Sequence, residues 1–190
     1  MEAVVRLFRL EGAPAASPRY NIAPTQPVVA VRPGERAGRE ARMLRWGLVP
    51  HWSKGPDNRY SMINARLESV AQKPAYRNAF RYRRCLVPAD GFYEWRRDGL
   101  TKTPYFITTC DDQPFGLAAL WEAWTDKQTG ERIESTTLIT TAQPSSVRRP
   151  HPRDSDDVAG VIVPGPSATK SWTGCSRGPP MVLPAARAGE

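Results

Sequence analysis

The sequence predicts an α+β fold: a single domain on a strongly bent, mainly antiparallel, barrel-like β-sheet with few helices. Strand-like runs recur from residue 27 to residue 142, helix-period apolar stripes occupy only short segments, and Pro and Gly punctuate the runs between them. A length of 190 residues suits one such unit with its own core.

In chain order, "EAVVRLFRL" sets Val4, Val5, Leu7, Phe8 and Leu10 on a helix-compatible stripe, which predicts a short helix ending at Gly12. "APAASPRYNIAPTQ" is a loop, because Pro14, Pro18 and Pro24 exclude regular structure. "PVVAVRP" is a strand closed by a turn at Pro33-Gly34. "EARMLRWGLVPHW" alternates Met43, Arg45 and Gly47 with Leu44, Trp46 and Leu48, a strand with two differently occupied faces. Residues 61–83 read as a short strand entering a helix. "RCLVPADGFYEWRR" and "TPYFITTC" form a hairpin pair around Asp98-Gly99, and "FGLAALWEAW" and "ESTTLITTA" are further strands. After Ala142 the character changes. Residues 143–190 hold eight prolines and one aromatic, Trp172, with almost no apolar periodicity outside "VAGVIVP". The expected division is a domain over 1–142 and a divergent or disordered tail over 143–190.

Lys and Arg number 27 against 19 Asp and Glu, a formal charge of +8, and arginine dominates the cations. Such a balance suits an anionic partner, nucleic acid first among them, although solubility alone also produces it. Cys85, Cys110 and Cys175 lie at irregular spacings, with no CxxC and only His51 and His151 beside them. That argues against a structural zinc site or a disulfide framework, and neither metal nor cofactor is expected. No apolar run reaches the roughly 20 residues of a membrane span, and residues 1–20 lack a signal pattern. The expectation is a reduced, cytoplasmic monomer with no membrane partner.

Several phrases occur in order: "RYNIAPTQPV" (19–28), "RWGLVPHWSK" (45–54), "INARLES" (63–69), "RRCLVPADGFYEW" (83–95), "PYFI" (104–107), "LAALWEAW" (117–124) and "STTLITTA" (135–142). Together, over about residues 19–142, they closely resemble the SOS response-associated peptidase family, the abasic-site processing proteins. The resemblance implies a protein that caps abasic sites in single-stranded DNA, in the bacterial cytoplasm at the nucleoid. In that family an amino-terminal cysteine condenses through its α-amine and thiol with the sugar aldehyde, giving a thiazolidine crosslink, and a related self-processing peptidase activity exposes the cysteine.

The amine attacks only when unprotonated and the intermediate must lose water, so the site needs proton carriers. The resemblance gives the first role to the glutamate of "GFYEW", Glu94, and the second to the histidine of an H-x-R pattern, which falls on His151. A plain reading of Glu94 is a solvent-facing or Arg-paired strand residue. Between Tyr93 and Trp95 it would instead be desolvated, which raises a carboxyl toward working pH, while Arg96 or Arg97 would lower it again. Asn64 and Arg66 of "INAR" match the family's contacts to the abasic nucleotide, the amide toward the sugar and the guanidinium toward a phosphate. The plain alternative is that Asn64 caps the following helix and Arg66 lies on its exposed first turn. Trp52 is the candidate stacking platform for an unstacked base, with Trp46 read as core. Lys54 and Arg84 complete a basic groove, and Arg153 follows from the H-x-R match. Cys85 and Cys110 are small strand residues, not nucleophiles.

Two departures qualify the resemblance. Family members begin Met-Cys-Gly-Arg, whereas residues 1–5 here are Met-Glu-Ala-Val-Val, so the expectation is that residues 1–190 lack the cysteine-bearing strand that normally precedes the first helix. The ring needs amine and thiol on one residue, so the 190-residue chain is expected not to crosslink. Its rival readings are a noncovalent single-strand binder and an inert truncated product. At the back, "RRPHPRDSDDVAGVIVP" keeps His151 and Arg153 but puts Asp154, Asp156 and Asp157 where the family has an apolar strand. Both departures fit a start assigned too late and a shifted reading frame between Ala142 and Lys170. Sequencing the gene upstream of codon 1 is expected to reveal an in-frame Met-Cys-Gly-Arg; an upstream region without one, with an intact frame after Ala142, overturns this account.

Overall fold

Helix α1 (Glu2–Phe8) buries Phe8 and, just beyond it, Leu10 against Val31. It stops at Phe8, short of Gly12, because Arg9 turns left-handed at φ 52° and the Leu10 N–H returns to the carbonyl of Val5 at 3.0 Å. The computed structural model describes residues 1–12, 16–34, 38–56, 62–109, 112–141, 159–160 and 162–163; for residues 94–98, 103, 105, 159, 160, 162 and 163 only the backbone is described.

Strand β1 (Pro27–Pro33) pairs antiparallel along its length with β2 (Arg39–Trp46). β2 ends at Trp46 instead of continuing to residue 52, since Gly47 takes a φ of +128° and its N–H leaves the β1 ladder for the carbonyl of Thr136 at 2.8 Å. β3 (Asn64–Arg66) leads into α2 (Leu67–Val70) and, after a break at Pro74, α3 (Arg77–Tyr82). The single helix expected here is therefore two short ones.

The run "RCLVPADGFYEWRR" splits at Asp90. β4 (Arg84–Ala89) joins the main sheet, while β5 (Gly91–Asp98) and β6 (Thr101–Thr108) form a two-stranded sheet that turns at Gly99, φ 59°. The hairpin at Asp98-Gly99 is as the sequence predicts, but its first arm is β5 alone. β7 (Phe115–Thr125) and β8 (Arg132–Thr141) follow. Two further pieces, β9 (Ala159–Gly160) and β10 (Ile162–Val163), pair with β8 and β7, so backbone from the stretch 143–190 enters the sheet at these four residues.

Among the described residues the main sheet runs β10-β7-β4-β1-β2-β8-β3, and a β7–β8 pairing closes β7-β4-β1-β2-β8 into a ring. This is the α+β, barrel-like architecture read from the sequence, with one difference. Both β2 and β3 run parallel to β8 along the same edge. Inside the ring sit Val28, Ala30, Leu44, Cys85, Val87, Phe115, Leu117 and Ala119. On the outer face α2 and α3 cover a second cluster, with Val70, Tyr76 and Ala79 against Ala65, Leu120 and Ile139. Leu44 is fully buried inside the ring, so Leu44→Ala leaves a cavity there and should cost about 2 to 5 kcal/mol, measured as a fall in denaturant midpoint at unchanged slope.

Candidate nucleic-acid interface

Strand β3 is held from several sides. The carbonyl of Ile63 accepts from the Trp46 indole at 3.0 Å and from the Leu138 N–H at 2.9 Å, and the Tyr76 hydroxyl donates to the carbonyl of Asn64 at 3.5 Å. Ala65 is buried against Ile139, so Asn64 and Arg66, one residue either way, project to the opposite face and are exposed. Neither side chain makes a hydrogen bond or ion pair among the described residues. The N-cap of α2 is Arg66, in extended conformation and without a side-chain cap bond, so Asn64 does not cap that helix. An amide and a guanidinium are thus presented on a fixed backbone, without a hydrogen-bond or ion-pair partner among the described residues.

Glu94 lies on β5 opposite Tyr105, and its side chain is outside the described part of the structure. What fixes its approach is clear. Phe92 packs edge-on against Phe115 at 6.3 Å and reaches the inner cluster, and Tyr93 leans on Phe106 at 5.2 Å. Gly91 is required where the hairpin leaves the sheet: a Cβ there would run into the Phe106 ring and lie 2.7 Å from the carbonyl of Ile107. His151, Arg153, Cys110 and Cys175 fall outside the described residues.

Trp52 and Lys54 are exposed on the loop after β2, Trp52 at 61 %. That loop is tied down by the Trp124 indole donating to the carbonyl of Ser53 at 2.9 Å and by the Val49 N–H donating to Ser135 Oγ at 2.8 Å. Arg84 is exposed at the start of β4. The register decides which of these residues act together. Asn64, Leu138, Ala119 and Cys85 lie side by side on one face, whereas Arg84 lies beside Leu120 and Thr137 on the other. Arg84 is also three strands from β3, roughly 14 Å at the usual strand spacing. A single groove joining Arg84 to Asn64 and Arg66 is therefore replaced by two surfaces on opposite faces.

Sequence reasoning missed Glu122. Its carboxylate is buried, accepts from Arg83 Nη2 at 2.7 Å and meets His51 Nδ1 at 3.3 Å, tying the start of β4 to the loop that carries Trp52. The available signal was a carboxylate between two tryptophans in an otherwise apolar strand, "LWEAW".

A model of the SOS response-associated peptidase family matches residues 1–175. The chain belongs to that family. Among relatives, the abasic site processing protein YoaM of Bacillus subtilis is 39% identical over 137 residues, 72% of this chain and 60% of its own length. The abasic site processing protein YedK of Escherichia coli is 28% identical over 158 residues, 81% of this chain and 64% of its own. The chain thus spans about 60% of the first of these relatives. A crystal structure of a protein from Bordetella bronchiseptica superposes with a TM-score of 0.69 at 25% identity, covering 86% of this chain and 79% of that one. The fold described above is therefore that of the family.

Among the described residues no helix is long and apolar enough to cross a membrane, and no three His, Cys, Asp or Glu side chains gather as a metal site. Cys85 is free and buried, and burial pushes its thiol from an ordinary 9.0 up to about 12, which suits a core residue and not a nucleophile. Between those values the folded chain keeps a proton that the unfolded chain releases. Stability is then full below about pH 9 and declines as pH rises toward 12. Tyr76, raised from 10.0 by burial, acts in the same sense. Denaturation midpoints across this range should fall, and Cys85→Ala should remove part of the slope; a profile indifferent to that substitution would count against the buried thiol.

Proposed function

We propose that this fold serves the family's chemistry, recognition of an abasic site in single-stranded DNA followed by covalent capture of its sugar aldehyde in the DNA damage response, with residues 1–190 supplying the binding and proton-carrying groups but not the nucleophilic cysteine. The supporting observation is β3, where Asn64 and Arg66 of "INAR" stand exposed, with no side-chain partner among the described residues, on a strand whose backbone is pinned from both sides. The amine of a terminal cysteine adds to the aldehyde carbon, the resulting oxygen takes a proton and leaves as water, and the thiol closes on the imine carbon to give the thiazolidine. Glu94 moves the protons of the first steps and His151 assists ring closure and reversal, with Arg153 and Arg66 toward phosphates. The same terminal cysteine is released by self-processing of whatever precedes it. The protein acts as a cytoplasmic monomer without a cofactor.

The cysteines of the numbered sequence are internal, so the nucleophile has to be supplied ahead of α1. Incubated with an abasic oligonucleotide and run on a denaturing gel, the 190-residue chain should give no shifted band. A form with Met-Cys-Gly-Arg placed before Glu2, its methionine removed, should give one. Crosslinking by the unmodified chain, or none by the cysteine form, overturns the reading. In the cysteine form Glu94→Ala should slow crosslinking by about 100- to 10,000-fold with DNA affinity nearly unchanged, whereas loss of both would assign Glu94 a structural role.

The second reading, a noncovalent single-strand binder, is favoured by the exposure of Trp52 beside Lys54. Filter binding of the 190-residue chain to undamaged single strands separates it from an inert product.

A further inference from the structure

Residues 69–89 hold five cations, Lys73, Arg77, Arg81, Arg83 and Arg84, and no acid. Arg83 alone among these makes an ion pair in the described structure, with the buried Glu122. Arg77, Arg81 and Arg84 are exposed and form no ion pair among the described residues, in contrast to Arg32, Arg42 and Arg132, each of which meets a carboxylate. Helix α3 turns Ala79 into the outer cluster and leaves Tyr82 76 % exposed. Packing does not account for a phenol ring so placed.

The geometry joins this helix end to the Trp52 loop. Arg83 and His51 converge on the same oxygen of Glu122, at 2.7 and 3.3 Å. This brings the chain segment of Tyr82 and Arg84 toward that of Trp52, with the carboxylate between them already engaged internally. The outcome is two exposed aromatic rings among uncompensated guanidiniums. That combination fits a single nucleic-acid strand, whose bases stack on rings while its phosphates track cations. An acidic peptide would use the cations and leave the rings idle.

We propose that the C-terminal half of α3 and the Trp52 loop form a second single-strand contact, on the face opposite Asn64 and Arg66. In it Tyr82 stacks a base and Arg77 and Arg81 hold phosphates. This deepens the proposed function and rests on its assignment of a DNA substrate. It implies that a bound strand engages both faces of the sheet, with the lesion at β3 and an undamaged flank at α3.

The test uses the 190-residue chain and an undamaged thymidine oligonucleotide, with affinity measured across a salt series. Arg77→Ala with Arg81→Ala should lower the slope of log K against log salt by about 1.4, two contacts at about 0.7 each. Arg6→Ala with Arg9→Ala, which removes two exposed cations of α1 and its cap, should leave it unchanged. Tyr82→Ala should weaken binding by about 5- to 100-fold at an unchanged slope, and Tyr82→Phe should restore it. Equal slopes for the two arginine pairs overturn the proposal. So does a Tyr82→Ala chain that binds as the parent does, which would leave a surface that reads charge alone and suits an acidic peptide equally well. Crosslinking by the cysteine form is scored separately. A crosslinking chain whose slope ignores Arg77 and Arg81 sinks this inference and spares the proposed function, and the reverse pattern does the opposite.

Discussion

The structure depends on the two edges of β8. One edge pairs with β7 over Thr125 to Ala119, and the other pairs in parallel with β2 at Arg45–Trp46 and then with β3 at Asn64–Arg66. Because β2 and β7 are already joined through β1 and β4, these bonds close the ring and leave none of its members as a free edge along the paired residues. The same strand is polar where it is most buried. Ser135 and Thr136 spend their hydroxyls on the carbonyls of Glu122 and Leu120, Ser135 also receives the Val49 N–H, and Gly47 donates to the Thr136 carbonyl. The bond from the Val49 N–H to Ser135 Oγ thus fastens the loop that carries Trp52 to the barrel, and a wholly apolar β8 would lack it.

Past Ala119 and Leu138 the β7–β8 pairing stops, and the backbone of Gly160 and Ala159 takes up β8 while Ile162 and Val163 take up β7. Both of these short strands, Ala159–Gly160 and Ile162–Val163, come from the stretch that the sequence reading set apart from the domain.

Charges fall into two groups with different consequences. Arg32 is buried over the Trp121 ring at 4.1 Å and paired with Glu40 and Glu134; Arg42, and after it Arg32, holds the Glu40 carboxyl below its ordinary range. Such pairs stabilise a fixed geometry and offer nothing to a ligand. Arg66, Arg77, Arg81 and Arg84 have no such partner among the described residues, and their exposure is what leaves them available to an anion. Formal charge alone does not distinguish the groups, since Arg83 and Arg84 are adjacent and fall on opposite sides of the division.

Local physics made much of this legible in the sequence. Alternation and turn residues located β1, β7, β8 and the Asp98-Gly99 turn, because those signals need only neighbours in the chain, whereas Asn64, Arg66 and Glu94 were singled out only by the family resemblance that "INAR" and "GFYEW" carry. The break at Asp90, the parallel union of β2 and β3 with β8, and the opposite facing of Arg84 and Asn64 were not legible. Each is fixed by which strands share an edge, and a one-residue change of register exchanges the faces. Glu122 is the sharpest instance: the sequence determined that a carboxylate lies between Trp121 and Trp124, and only the tertiary structure decided that Arg83 and His51, distant in the chain, meet it and bind the loop to the helix end.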